Sequence, residues 1–152
     1  MRELPPTVTP EITRLGLMAA LRKAVEVEFA HAFAKVTWRC DEGIEGHMAA
    51  LSPVAAETLY YAARELVRNA AKHAQPAGHA DGLCLEIAAR VEDGQIQITI
   101  EDNGSGFAPE PGAGQGLALH STLMAIVGGS LSLETVPNQM TRVQLAVPLP
   151  GG

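Results

Sequence analysis

The stretch QIQITIEDNGSGF, residues 95–107, contains the pattern on which the fold prediction depends. Its first half alternates apolar and polar residues, and a period of two predicts a half-buried β-strand. Three isoleucines would point into a core: Ile96, Ile98 and Ile100. Asp102 follows at the end of this strand, and Gly104 and Gly106 then leave bare backbone beside the acid. A tight turn needs only one or two glycines, so this arrangement indicates a bound ligand.

A second glycine-rich run, GAGQGL, follows at residues 112–117. It leads directly into an apolar helical pattern from about Gly116 to Val127, and Gly128-Gly129 predicts the end of that helix. Free backbone N–H groups and the positive end of the helix dipole meet at such a start and favour an anion. Together with the acid and the glycines of the first stretch, this run predicts a phosphate-binding loop within a nucleotide site.

A third motif lies upstream, in ARELVRNAAKHA at residues 63–74. Glu65, Asn69 and His73 recur every four residues and would share one helix face, with Lys72 at its edge. An asparagine weakens a helix interior, but its carbonyl is a hard oxygen ligand suited to Mg²⁺. Lys72 could meet a phosphate as a point charge. Glu65 could accept a proton from an attacking group. Charges on a helix face are also common on plain solvent-exposed surfaces.

The remaining periodicity predicts an α+β fold, a two-layer α/β sandwich whose mixed, mostly antiparallel sheet carries about three helices on one face. The predicted helices are Leu15–Phe33, Ser52-Pro53 to about His73, and Gly116–Val127. The predicted strands are KVTWRC, Leu83–Val91, Gln95–Glu101, SLSLETV and TRVQLAVPL. Asp93-Gly94 predicts a tight hairpin. DEGIEGHM, residues 41–48, is predicted to be a loop and PNQM, residues 137–140, a turn.

Size and charge limit the class of protein. A chain of 152 residues favours one domain with one core. The net charge of −6 argues against a general nucleic-acid binder, which normally shows a basic patch. No apolar run approaches the ~18 residues of a membrane span, and no signal peptide is visible. We therefore expect the chain to be cytoplasmic and without direct membrane contact.

Two further features concern the ends and the thiols. The first ten residues, MRELPPTVTP, hold three prolines and are predicted to be a linker or the remnant of a dimerisation domain, with the catalytic domain over residues 11–152. Cys40 and Cys84 lie far apart in strand-like stretches. Buried free thiols in a reducing compartment are the expected reading.

The three motifs resemble those of the catalytic, ATP-binding domain of a sensor histidine kinase, in the GHKL or Bergerat-fold ATPase superfamily. ELVRNAAKHA resembles the N box, EDNGSGF the G1 box, and GAGQGLALHSTLMAIVGGSL the G2 box with its following helix. The segment LGLMAALRKAVEVEFA resembles the region after the dimerisation helices in the NarL-like group. TRVQLAVPL resembles the closing strand. The resemblance covers nearly all of residues 11–150.

The resemblance implies roles for particular residues. Asn69 would hold Mg²⁺, and Glu65 would occupy the acidic N-box position that serves as a base in several members. Asp102 would bind the adenine amine, partly through water. The remaining residues that would contact ATP are Lys72, His73, Gly104, Gly106, Gly114, Gly116, Leu117 and Thr141. His120, one turn into the last helix, is expected to be a packing or surface residue.

The implied function is transfer of the γ-phosphate of Mg-ATP to a histidine on a separate dimerisation domain, which then passes it to a response regulator. No phosphoacceptor sequence is present, so we expect the isolated chain to be inactive in phosphotransfer. The acceptor domain could belong to the same full-length protein, itself anchored in a membrane or not, or to another chain. Two alternatives stay open: an anti-sigma-factor-like serine kinase, whose N box shows the same pattern, and a non-catalytic nucleotide-binding module.

Overall fold

The computed structural model of the chain describes residues 12, 15–73, 82–103, 115–136 and 140–150, without the side chains of residues 73, 115 and 116. Its helices are α1 (Leu17–Glu28), α2 (Ile44–Ala49), α3 (Pro53–His73) and α4 (Gln115–Ile126). Its strands are β1 (Lys35–Cys40), β2 (Cys84–Glu92), β3 (Gln95–Asp102), β4 (Ser130–Val136) and β5 (Met140–Pro148). The predicted linker at residues 1–10 lies outside the described residues, as does the predicted turn apart from Met140, which begins β5.

The five strands form one sheet in the order β1-β2-β3-β5-β4. β1 pairs with β2 in parallel, and the other three pairs are antiparallel. The parallel pair needs a crossover, which α2 and α3 supply between β1 and β2. The sheet is thus mixed and mostly antiparallel, as predicted.

One face of the sheet is apolar and covered by helices. The buried apolar side chains that the three central strands place on this face are Leu85, Ile87, Ala89, Ile96, Ile98, Ile100, Val143, Leu145 and Val147. They form one core with helical residues such as Leu21, Leu59 and Met124. On the other face, Arg142 bridges Glu101 and Glu134 on the neighbouring strands at 3.0 Å each. The two-layer α+β architecture is confirmed, with four helices in the described part of the chain rather than about three.

α1 is amphipathic but shorter than its apolar pattern predicts. Its buried residues are Leu17, Met18, Ala20, Leu21 and Val25. The helix ends at Glu28 instead of Phe33, because the backbone of Phe29 leaves the helical region at φ −121°. Nη2 of Arg64 lies 2.7 Å from Oε2 of Glu28, so an ion pair joins the end of α1 to α3.

The prediction of a loop over residues 41–48 was wrong, because these residues contain most of α2. The two glycines and the polar residues of this stretch suggested a break in secondary structure. Ile44 and Met48 lie one turn apart and are buried at 4% and 2% exposure. Burial of these two side chains stabilises a short helix that intrinsic propensity would not favour.

α2 also holds the start of α1. Oε1 and Oε2 of Glu45 accept hydrogen bonds from the backbone N–H groups of Met18 at 3.2 Å and Ala19 at 2.9 Å. A carboxylate at this position satisfies orphan donors and complements the helix dipole. Gly16 precedes the helix at φ +97°, and a Cβ there would lie 2.5 Å from Oε2 of Glu45. The positive φ, which L side chains rarely adopt, is the stronger reason for glycine here, because the end of the Glu45 side chain could shift.

The predicted turn chemistry is confirmed at two places. Asp93 and Gly94 both have positive φ, at 56° and 75°, as a two-residue type I′ hairpin between β2 and β3 requires. At the end of α4, the N–H of Gly129 bonds the carbonyl of Met124 at 2.7 Å, and Gly128 adopts φ 82°. This is the Schellman arrangement that a Gly-Gly pair favours.

The expectation of buried thiols was wrong for Cys40. Both cysteines are free, but Cys40 is exposed and Cys84 half-buried. Cys40 ends β1, an edge strand with a neighbour on one side only. Alternation within a strand cannot show whether the strand lies at the edge of its sheet.

Candidate nucleotide-binding site

α3 carries the first part of the candidate site. It begins as predicted, with Pro53 in its first turn and the hydroxyl of Ser52 accepting a hydrogen bond from the N–H of Ala55 at 3.1 Å. Serine at the cap and proline just inside the helix are the preferred start. This start fixes where α3 begins. The side chains two and more turns later therefore have defined positions along the helix.

Glu65 and Asn69 lie at the border of the buried face of α3. The buried face of this helix includes Leu59, Ala63, Leu66 and Ala70, which are all at most 6% exposed. Glu65 and Asn69 themselves are half-buried, whereas Lys72 is exposed. α3 packs against α4 as well as against β3 and β5. Glu65 and Asn69 are thus partly shielded from solvent, unlike Lys72.

Asp102 is the buried acid of the site. It is the last residue of β3 and is only 6% exposed. Strand alternation places its side chain on the same face as Ile98 and Ile100, the face that the helices cover. The structure therefore turns an acidic side chain toward the helix layer. A buried carboxylate is costly unless it is hydrogen-bonded, so this position favours a polar contact.

Thr141 lies beside Asp102. The two residues are directly opposite each other in the β3–β5 register, and Thr141 is half-buried. Its hydroxyl oxygen is 3.5 Å from that of Thr135 on β4. Opposed residues on antiparallel strands present their side chains on one face. The structure thus brings two of the predicted ATP contacts together, although they are 39 positions apart in the sequence.

Asn103, which the sequence reasoning missed, anchors the backbone just after Asp102. Its Oδ1 accepts from the N–H of Cys84 at 2.7 Å, and its Nδ2 donates to the carbonyl of Gly82 at 3.2 Å. These bonds hold the end of β3 against the start of β2. Asparagine after a strand and before a glycine is a known turn residue, and that signal was available in the sequence.

The glycine-rich parts of the site are only partly described. Gly104, Gly106 and Gly114 and the side chain of His73 lie outside the described residues. Gly116 is the second residue of α4, and Leu117 follows it, half-buried against the core. The predicted helix start after the second glycine run is therefore confirmed within one residue.

Two buried polar atoms have no hydrogen-bond partner among the described residues: Nδ2 of Asn69 and Nδ1 of His120. They belong to α3 and α4, the two helices that pack together. Burial lowers the pKa of His120, and the Glu65 carboxylate acts against this shift and raises it. The ring of His120 is thus partly removed from water. The sequence predicts a packing or surface residue at His120, and the structure shows it half-buried on α4.

The donor set fits one kind of metal site. No group of three or more His, Cys, Asp or Glu side chains that could hold a metal occurs in the described part of the chain. Mg²⁺ needs only one or two protein oxygens when phosphates and water complete its shell. Asn69, a half-buried residue of α3 whose Nδ2 has no partner among the described residues, fits that requirement.

Comparison with known proteins identifies the family. Residues 55–151, well over half of the chain, match the family described as histidine kinase-, DNA gyrase B-, and HSP90-like ATPase. The chain belongs to this family. The matched region contains all the predicted site residues, from Glu65 to Thr141. The prediction of an ATP-binding catalytic domain of the histidine kinase type is confirmed.

Two curated relatives carry matching names. The sensor histidine kinase YdfH of Bacillus subtilis is 30% identical over 100 residues, 63% of this chain and 23% of its own. The signal transduction histidine-protein kinase/phosphatase UhpB of Salmonella typhimurium is 26% identical over 146 residues, 95% of this chain and 26% of its own. The chain thus spans about a quarter of the length of these relatives.

Solved structures show the same fold. The histidine kinase domain of the blue-light activated kinase EL346 from Erythrobacter litoralis superposes with a TM-score of 0.69 at 21% identity, over 90% of this chain and 65% of that one. The Acinetobacter baumannii kinase AdeS gives a TM-score of 0.60 at 18% identity, over 89% and 64%. In the described residues of this chain, no helix is long and apolar enough to cross a membrane.

Proposed function

We propose that this chain binds Mg-ATP and transfers its γ-phosphate to a histidine on a separate dimerisation domain. The observation that carries the proposal is the burial of Asp102 on the helix-covered face, at 6% exposure, in a chain that belongs to this ATPase family. A carboxylate in that position can accept a hydrogen bond from an adenine amine, and charge-assisted bonds of this kind are strong.

The base would lie at the ends of β3 and β5. Asp102 accepts from the adenine amine, partly through water, and Thr141 opposite it approaches the nucleotide. Gly104 and Gly106 would let the base or the sugar lie against the backbone, where a Cβ would clash. Asn103 supports this arrangement because its two hydrogen bonds hold the backbone next to Asp102.

The phosphates would lie between α3 and the start of α4. Gly114, Gly116 and Leu117 would supply backbone N–H groups and the positive end of the helix dipole. Asn69 would hold Mg²⁺, which neutralises phosphate charge when it is bound. Lys72, exposed near the end of α3, and His73 would approach the phosphates from the side.

The chemical step would depend on positioning and on charge. Phosphoryl transfer leaves little covalent work for the protein, so alignment of the acceptor with the γ-phosphate dominates. Glu65, four residues before Asn69, would take a proton from the attacking imidazole. The half-buried position of Glu65 beside α4 supports this role, because a base must stay near the transferring group.

The partners, the domain bounds and the location that we propose follow from this chemistry. The partners we propose are ATP, a helical phosphoacceptor domain and a response regulator, without nucleic acid or direct membrane contact. We propose residues 1–10 as the connection to the dimerisation domain and residues 11–152 as the catalytic domain. A cytoplasmic location would supply both ATP and the regulator.

The main rival is a serine kinase of the anti-sigma-factor type, and a non-catalytic nucleotide-binding module is the other. One experiment separates them: the chain is mixed with candidate helical acceptor domains and, separately, with candidate serine-containing partners, in the presence of [γ-³²P]ATP. We expect label on the helical domain that is lost in acid and kept in alkali, as for phosphohistidine. Acid-stable label would support the serine kinase. Tight Mg-ATP binding with no transfer to any acceptor would support the binding module.

A further inference from the structure

A cavity of about 250 Å³ lies between α2 and the starts of α1 and α3. Four buried apolar side chains line it, each at most 8% exposed: Leu17, Met48, Leu51 and Ala56. None of them belongs to the proposed nucleotide site. An apolar cavity of about 150 Å³ holds benzene, so a cavity of this size has room for a ligand of about seven to ten heavy atoms.

Two acidic residues, Glu45 and Glu57, also line the cavity, and both are half-buried. No lysine, arginine or histidine in the described part of the chain lines it. Ligand pockets are typically apolar, with a few polar groups that fix the orientation of the ligand. An apolar lining with carboxylates and without a basic side chain therefore complements a ligand that has an apolar body and a positive charge.

The carboxylate of Glu45 is held in a fixed position. Its oxygens accept hydrogen bonds from the backbone N–H groups of Met18 at 3.2 Å and Ala19 at 2.9 Å. A carboxylate offers about four acceptor positions, so two backbone donors leave capacity for a further donor from a ligand. A group that is already fixed loses little side-chain entropy when the ligand binds.

The carboxylate of Glu57 has no hydrogen bond or ion pair among the described residues. The residue lies one turn after Pro53, near the start of α3. Partial burial of an unpaired charge is unfavourable, and a cation that pairs with the carboxylate removes part of that cost. A ligand with a positive charge would therefore gain more from Glu57 than an uncharged ligand of the same shape.

We propose that this cavity binds a small organic cation, a primary ammonium group on an apolar chain or ring of about six carbons. The ammonium group, with its three donors, lies between Glu45 and Glu57, and the apolar part packs against Leu17 and Met48. The cavity is distant from the proposed nucleotide site, because Glu57 precedes Asn69 by 12 residues, or about 18 Å along α3. The inference does not depend on the proposed function.

Binding is tested with three probes of equal length: hexylammonium, hexan-1-ol and hexanoate. In ¹³C methyl NMR spectra of the whole chain, we expect hexylammonium to shift the signals of Leu17, Met48 and Leu51 with a Kd of about 1–10 mM. Hexan-1-ol should bind about tenfold more weakly and hexanoate more weakly still, because only the ammonium group forms charge-assisted hydrogen bonds with the carboxylates.

The methyl signals of Ile126, which is 72% exposed on α4, serve as the control and should not shift. Three outcomes would overturn the proposal: hexan-1-ol binding as tightly as hexylammonium, equal shifts at Ile126, or no shift of the cavity signals up to about 30 mM hexylammonium. The first would show an apolar cavity without preference for charge, and the second would show adsorption to any exposed apolar side chain.

A pair of variants tests the role of Glu57. Glu57→Gln should reduce the tenfold preference for hexylammonium over hexan-1-ol to about threefold, and its affinity for hexan-1-ol should stay that of the wild type. Glu42→Gln removes the same charge from an exposed position outside the cavity lining and should keep the full preference. An equal loss in both variants would mean that the negative charge of the whole chain attracts the probe, and the site would be refuted.

A titration with saturating Mg²⁺ and a non-hydrolysable ATP analogue separates this cavity from the nucleotide site. The affinity for hexylammonium should be the same with and without the analogue. Competition between the two would place the probe in the nucleotide site and overturn the proposal. If the chain binds no nucleotide, the proposed function fails, but the comparison of the three probes still decides whether the cavity binds a cation.

Discussion

At the scale of single residues, Asp102 is an acidic side chain in a buried position of a strand, where apolar side chains are usual. The period of two that buries Ile96, Ile98 and Ile100 also directs the next residue of the same phase, an acid, to the covered face. Glu101, one position earlier, faces the other way and pairs with Arg142 at 3.0 Å. The two adjacent acids therefore have different environments. Only Asp102 lies on the covered face, and only its position suits a hydrogen bond to a nucleobase.

The contrast between Asp102 and Glu101 allows a test of nucleotide binding with a matched control. We expect Asp102→Asn to weaken Mg-ATP binding by about tenfold or more, because a charge-assisted hydrogen bond is replaced by a neutral one. Glu101→Gln, which alters the opposite face, should bind nearly as tightly as the wild type. Isothermal titration calorimetry on both variants measures the difference. Equal affinities for Asp102→Asn and the wild type would show that the adenine assignment is wrong.

His120 makes a prediction about stability and pH. Burial holds the pKa of His120 below its ordinary value of about 6.5 in the folded chain, so the unfolded chain binds the proton more readily. The contribution to folding from the neutral ring is therefore complete above pH 6.5 and is lost as the pH falls through the folded-state value. Urea unfolding at several pH values should show a steeper loss below pH 6.5 for the wild type than for His120→Leu. If stability falls equally steeply with pH in the wild type and in His120→Leu, the buried neutral ring of His120 is not the cause of the pH dependence.

At the scale of elements, long periodic segments were predictable and short ones were not. The sequence was sufficient for α3, α4 and the β2–β3 hairpin, because caps, turn residues and periodicity all agree there. It was not sufficient for α2, whose six residues are held by burial of Ile44 and Met48. A helix this short has no stable form of its own. Its existence depends on the core that it joins.

The junction between α4 and β4 gives a prediction at this scale. A Cβ on Gly129 would overlap the carbonyl oxygen of Ala146 on β5 and lie 3.0 Å from Cγ1 of Val147. We expect Gly129→Ala to lower the free energy of unfolding by about 1–3 kcal/mol through overpacking. Gly46→Ala, in α2 with no atom within 4 Å of the new methyl, should be neutral or stabilise by up to about 1 kcal/mol. Urea denaturation compares the two, and equal effects would refute the packing argument.

At the scale of the whole molecule, the proposed nucleotide site is composed of segments from most of the length of the chain. α3, β3, α4 and β5 each supply at least one of the predicted contacts. A ligand that contacts all four should therefore stabilise the folded chain as a unit.

This linkage predicts a thermal shift. Mg-ATP at a hundred times its Kd should add about 2.7 kcal/mol to the free energy of unfolding, or about 5–10 °C in Tm for a domain of this size. Chelating Mg²⁺ with EDTA should remove most of the shift in the wild type. In Asn69→Ala the remaining shift should no longer depend on Mg²⁺. Mg-GTP, which lacks the adenine amine, is the control and should give a smaller shift; an equal shift would argue against base recognition.

The sequence by itself determined the local chemistry: the strand that ends at Asp102, the start of α3 at Ser52, and the glycine pair that ends α4. Each depends on residues within one or two turns of each other, so their order in the chain is enough. Only the tertiary structure decided which distant residues meet. Examples are Glu45 with the start of α1, 26 and 27 residues away, and Thr141 beside Asp102. Such contacts follow from the packing of separate segments into one core, and no local pattern contains that information.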